Sequence, residues 1–158
     1  MKSAKTIFGA FAGGLALSAA MAFGIANAGE VAPGDVKIAD NMLAMSVSGA
    51  EGNAEEGAAA FKNRGLGNCL ACHANSAMSK ELFHGDVGPS LDGVAERYKP
   101  EELRAIVVNS KAVFGEETVM PGFYSLEVGI NPREDLVGKT ILTAQQVEDI
   151  VAYLTTLK

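Results

Sequence analysis

Cysteine and histidine are scarce in this chain: of its 158 residues, two are cysteine and two are histidine. Cys69 and Cys72 stand three positions apart, so a disulfide between them would close a very short loop and constrain little of the unfolded chain. The short supply of ligands works against zinc. His73 and His84 are the only imidazoles, and His73, next to Cys72, is hard to place on the same tetrahedral ion. Also missing is a pattern of β-branched strands alternating with helices, the setting that a thioredoxin-like dithiol requires. No long apolar run follows the first 28 residues, and basic residues are outnumbered 13 to 19 by acidic ones.

The first 28 residues have their own character. Lys2 and Lys5 come first, then the apolar run TIFGAFAGGLALSAAMAFGI, then ANA before Gly29. A basic start, a hydrophobic middle and a small-x-small end predict a secretory signal peptide, cleaved after Ala28. The alternative is an uncleaved anchor, because the run is nearly long enough to span a bilayer. No cysteine lies near the cleavage position, which excludes lipid attachment there. Residues 29–158 then suit one domain. Without Lys2 and Lys5, 11 basic residues face 19 acidic ones, a net charge of −8. That balance argues against nucleic acid and anionic membrane surfaces as partners.

What is there is the pentapeptide CLACH at 69–73. With the other cysteine chemistries set aside, C-x-x-C-H predicts covalent attachment of one c-type haem. Two thiols on successive helical turns reach the two vinyl positions on one porphyrin edge, and the next residue turns its imidazole to the iron. The motif is short, and the export signal gives it weight.

The rest of the chain predicts a small all-α fold, three or four helices around one flat apolar ligand. Residues 29–52, punctuated by Gly, Pro and Asp, form an N-terminal extension that packs on its own domain or on a partner, and 53–158 form the domain. In the extension, Met42 and Met45 are expected to pack as apolar filler. Asn53 with Glu56 has capping-box spacing, opening a helix through AEEGAAAFKNR that ends before Gly65. Gly57 inside it is unfavourable by about 1 kcal/mol against alanine, which suggests close approach of another helix. Pro100 suits the first turn of a second helix, PEELRAIVVNSKAVF. Thr143 and Gln146 form a capping box for a last helix striped by Val147, Ile150, Val151 and Leu154.

His73 is the expected proximal ligand of the iron. A ligating imidazole usually donates its second N–H to a carbonyl or carboxylate, and the Pro89 carbonyl in VGPSLDG is the candidate, held by proline's fixed φ. On the opposite side, His84 and Met78 follow the motif too closely for the chain to round the porphyrin. Met120 has the reach, 47 positions on, in a loop stiffened by Pro121. Its other reading is a flexible core filler. His/Met ligation raises the potential and leaves no open site, which suits one-electron transfer rather than oxygen or peroxide chemistry. Arg97 and Tyr98 could reach a propionate or stand exposed, and His84 fits a loop histidine.

The stretches GNCLACHA, GDVGPSLDGVAERY, ELRAIVVNSK, TVMPGFYSL and ILTAQQVEDIVAYLTTLK together resemble the SoxX family. These are the monohaem class I cytochrome c subunits of the periplasmic SoxAX complex of thiosulfate oxidation. The likeness runs from Asn53 to Lys158 and extends more loosely into the extension. It implies a class I cytochrome c fold with Cys69 and Cys72 as thioether positions and His73 and Met120 as axial ones. It also implies a heterodimer with a SoxA-like cytochrome, acting as a haem-dependent L-cysteine S-thiosulfotransferase. That enzyme conjugates thiosulfate oxidatively to a cysteine of the SoxYZ carrier; this chain accepts electrons and passes them to an acceptor such as a cytochrome c. The residues agree with that division of labour. Once both cysteines are thioethers no thiol remains to carry sulfur, and one haem holds one electron. The alternative is a free-standing electron shuttle, for which the extension and the long loop between Gly115 and Thr140 are surplus.

Overall fold

The computed structural model describes residues 29–127 and 129–158; the expected signal peptide lies outside them. Among the described residues four α-helices carry the fold: α1 (Ala54–Phe61), α2 (Val94–Arg97), α3 (Pro100–Phe114) and α4 (Ala144–Leu154), joined by turns and loops. The expected all-α class is what the described residues adopt, and α3 and α4 occupy their expected spans.

Asn53 caps α1, its side-chain oxygen accepting from the Glu55 and Glu56 amides. The expected reciprocal half from Glu56 is replaced: the Asn53 amide donates instead to Asp149 Oδ1 at 2.8 Å. Nor does the helix run to Arg64. It stops at Phe61 because Asn63 bends the chain back, its carbonyl taking the Leu66 and Asn68 amides and its side chain the Gly65 amide. At α4 both halves of the box form, Thr143 accepting from the Gln146 amide and Gln146 from the Thr143 amide.

α1 crosses α4 at Gly57. A methyl group there would overlap the Asp149 carbonyl and lie 2.9 Å from Tyr153 Cβ. One turn on, the Phe61 and Tyr153 rings meet at 5.5 Å between centroids, within the range of favourable tilted pairs. The expected close approach is therefore real, and a prediction follows. Gly57→Ala gains about 1 kcal/mol of helix propensity but forces the helices apart, so unfolding titrations of the haem-loaded protein should show a net loss of about 2 kcal/mol. An unchanged midpoint would mean the crossing has slack.

The extension packs on the domain that follows it. The Leu43 amide donates to the Glu101 carbonyl, Arg104 Nη1 to the Leu43 carbonyl, and the Val47 amide to Glu148 Oε1 at 2.8 Å. Glu148, 4% exposed, also holds Arg104 Nε through both carboxylate oxygens at 3.0 and 3.1 Å. Leu43 and Val47 are buried by this arrangement. Met42 and Met45 are not filler: they are 38% and 63% exposed, because the bonds at Leu43 and Val47 fix which side chains turn inward.

Candidate haem site

Cys69–Ala71 form one tight helical turn, closed by the Cys72 and His73 amides on the Cys69 carbonyl at 3.1 and 2.9 Å. Asn68 enters it at φ 46°, a left-handed conformation that asparagine tolerates better than most residues. The two cysteines are not bonded to each other; Cys69 is half-buried and Cys72 exposed. Burial, and then the neighbouring Cys72, push the Cys69 thiol up to about 12, against a smaller lowering by a backbone hydrogen bond. Its sulfur is closely packed by protein atoms although part of its surface is open. A redox dithiol needs the opposite shift, toward thiolate at neutral pH.

The segment after the motif is laced alongside it. The Gly85, Gly88 and Leu91 amides donate to the Leu70, Cys72 and Ala74 carbonyls at 2.8, 2.8 and 2.9 Å. This brings Pro89 to His73, whose Nδ1 lies 2.7 Å from the Pro89 carbonyl oxygen, the expected pairing. Gly88 makes the approach possible, since a methyl there would run into the imidazole ring. With Nδ1 engaged, Nε2 makes no hydrogen bond among the described residues and is the nitrogen free for a ligand.

Polar groups that periodicity does not single out steady the loop. Asn75 is buried, and its Nδ2 donates to the Tyr153 hydroxyl at 2.7 Å. Asp92 accepts from the Ser76 amide and hydroxyl, which holds its carboxyl below the usual range. The Arg97 guanidinium donates to the Asp92 and Ser90 carbonyls, so it braces the loop. Both His84 nitrogens are used within the loop, Nδ1 by the Asn75 amide and Nε2 by the Met78 carbonyl. His84 is the loop histidine that its position implied.

Met120 stands on a separate loop, built by a break in α3. Asn109 has φ −153° and ψ 89°, outside helical values, although helix continues to Phe114. The break frees the Val107 and Val108 carbonyls, which accept from the Phe123 and Tyr124 amides, both at 3.1 Å. The Ser110 hydroxyl donates to the Met120 and Pro121 carbonyls. Gly122 is tight against Asn109 Oδ1 and the Val108 carbonyl. A methyl on Gly67 would lie 2.9 Å from the Phe123 ring, so the loop carrying Met120 packs on the glycine that precedes Asn68 and Cys69. Nothing in VVNSK disrupts the helical pattern; a serine and an asparagine in mid-helix are the only hint of the break.

These residues fit a haem: two thiols at the two ends of one tight turn, an oriented imidazole with one nitrogen free, and a thioether on a loop packed against the same segment. Leu66, Leu91, Tyr98, Met120 and Ile141 pack on the core yet stay part-exposed, leaving apolar surface for a flat apolar group. A cleft lined by Lys62, Arg64, Leu70, Ala71 and Phe83 lies on the two middle residues of the motif and includes none of Cys69, Cys72, His73 and Met120.

The cytochrome c family model matches residues 54–158. Among solved structures, a chain of the crystal structure of SoxXA from P. pantotrophus is 41% identical, with a TM-score of 0.75, over 82% of this chain and 98% of the solved one. No curated protein matches.

Proposed function

Because the chain belongs to the cytochrome c family and is of the SoxX type, we propose that it is the electron-accepting subunit of a SoxAX complex, which oxidatively conjugates thiosulfate to a carrier cysteine. The observation that carries this is the span of the likeness. A match over 82% of the chain exceeds residues 54–158, so it includes part of the extension, which a minimal shuttle does not need. The extension, 29–52, and the cytochrome domain, 53–158, thus serve one subunit.

Bound haem supplies a one-electron iron couple. Cys69 and Cys72 would hold it as thioethers, and His73 Nε2 and the Met120 sulfur would bind its iron. The Pro89 carbonyl fixes the tautomer of His73 and raises its basicity. A thioether ligand would favour the ferrous state, the property an electron acceptor needs. Both iron ligands would come from the protein, and the chain has no third thiol for sulfur chemistry. Forming a sulfur–sulfur bond between thiosulfate and a thiol releases two electrons, so the partner, a SoxA-like cytochrome, provides the chemistry and a second centre. SoxYZ presents the thiol, and a further acceptor such as a cytochrome c drains the electrons. Export by the N-terminal signal, cleaved after Ala28, puts the mature chain in the periplasm; among the described residues no helix is long and apolar enough to cross a membrane.

Gentle gel filtration of native periplasm tests the reading. The expected result is co-elution with a larger haem protein, and haem reduction by thiosulfate once the sulfur carrier is added. A lone monomer, reduced by redox proteins and indifferent to thiosulfate, would favour the shuttle.

A further inference from the structure

The first mature residues and the Met120 loop are in direct contact. The Tyr124 hydroxyl donates to the Val31 carbonyl at 2.8 Å, with Glu30 Oε1 also within reach at 3.3 Å. Tyr124 is buried, four residues after Met120, and its amide is one of the two held by the broken turn of α3. On the other side of the contact, the Val31 amide donates to the Val47 carbonyl at 2.8 Å, and Val47 is bound through its amide to Glu148 on α4. A continuous path of hydrogen bonds thus runs from α4 through the extension to the loop that carries the thioether. Burial first, and then the Glu30 charge, push Tyr124 up to about 12, so the hydroxyl keeps the proton it donates.

We propose that residues 30–31 act as a clasp on the Met120 loop, with Tyr124 the positioning residue through which the start of the mature chain holds the Met120 sulfur in place. The inference rests on Met120 being the distal ligand. Without the clasp, the loop keeps its bonds to Val107, Val108 and Ser110 but loses the tie on its far side, so the sulfur gives way more readily to a competing ligand.

Added imidazole is the probe, since it competes with a thioether for ferric iron. In the secreted, haem-loaded protein, Tyr124→Phe should raise the apparent affinity for imidazole about fivefold, the worth of one net hydrogen bond. The weak red charge-transfer band of methionine-ligated ferric haem should fade in parallel. A chain whose mature sequence starts at Ala32 should show the same two changes, and combining it with Tyr124→Phe should add nothing, as expected for one coupled contact. A merely structural role would lower the unfolding midpoint and leave imidazole affinity alone. Wild-type affinity in both variants, with the methionine band intact in the parent, would overturn the clasp and spare the ligand assignment. A parent protein lacking that band, and binding imidazole as Met120→Ala does, would overturn both.

Discussion

Met120→Ala keeps its haem through acidified organic solvent and loses reduction potential by on the order of a hundred millivolts, a modest part of the roughly 0.8 V over which axial ligands set haem potentials. The two halves of this expected result have different origins. On the proposed assignment attachment depends on Cys69 and Cys72, which sit in their own turn, against which the Met120 loop packs through Phe123 on Gly67. On the proposed ligation the potential depends on the thioether, and its removal would take away the ligand that favours ferrous iron. The backbone bonds from Phe123 and Tyr124 to α3 do not involve the Met120 side chain, so the loop should stay in place while the iron would lose its sulfur ligand. Redox titration with visible spectra measures both effects. An unchanged potential with a low-spin spectrum would mean that another side chain is the ligand.

The second large effect is on stability. Glu148→Ala should destabilise the haem-loaded protein by about 3–5 kcal/mol, as expected when one partner of a buried ion pair is removed. That is a substantial share of the 5–15 kcal/mol typical of a domain. Glu148 and Arg104 have side chains only 4% and 14% exposed, so the loss leaves a poorly solvated guanidinium unpaired. It also strips the Val47 amide of its acceptor and, through Arg104, loosens the Leu43 carbonyl. Glu148→Gln, which keeps an oxygen for Val47, should cost less than Glu148→Ala in the same urea titration. A loss below about 1 kcal/mol for Glu148→Ala would fall in the range of an exposed pair and would assign the hold on the extension to Leu43 and Val47 packing.

The contrast between α3 and the extension shows what the sequence makes legible. α1, α3 and α4 announce themselves through local signals: a capping residue, a proline in the first turn, an apolar stripe. The reach of Gly57 toward another helix could be inferred from its being out of place in AEEGAAA. The His73–Pro89 pair was also legible, because a proline carbonyl sixteen positions after the imidazole offers a local partner. What could not be read depends on groups far apart in the chain. Asp149 takes the Asn53 amide across 96 positions, and Glu148 takes the Val47 amide across 101. These two acids sit side by side within a helix whose apolar stripe drew the attention, and no spacing rule says that they turn inward. The outward turn of Met42 and Met45 is a consequence of the same long-range bonds. The break at Asn109 escaped for a related reason: its compensation comes from Phe123 and Tyr124, beyond the end of the helix.

The proposed function requires Cys69 and Cys72 to carry one haem, with His73 bound to its iron. Mass spectrometry of a protease digest of the exported protein addresses that directly. The predicted result is a single peptide spanning Cys69 to His73 with one haem added to its mass, no free thiol at either cysteine, and the pigment retained after acidified organic extraction. A peptide of unmodified mass with two alkylatable thiols, or a pigment that the solvent removes, would contradict the account.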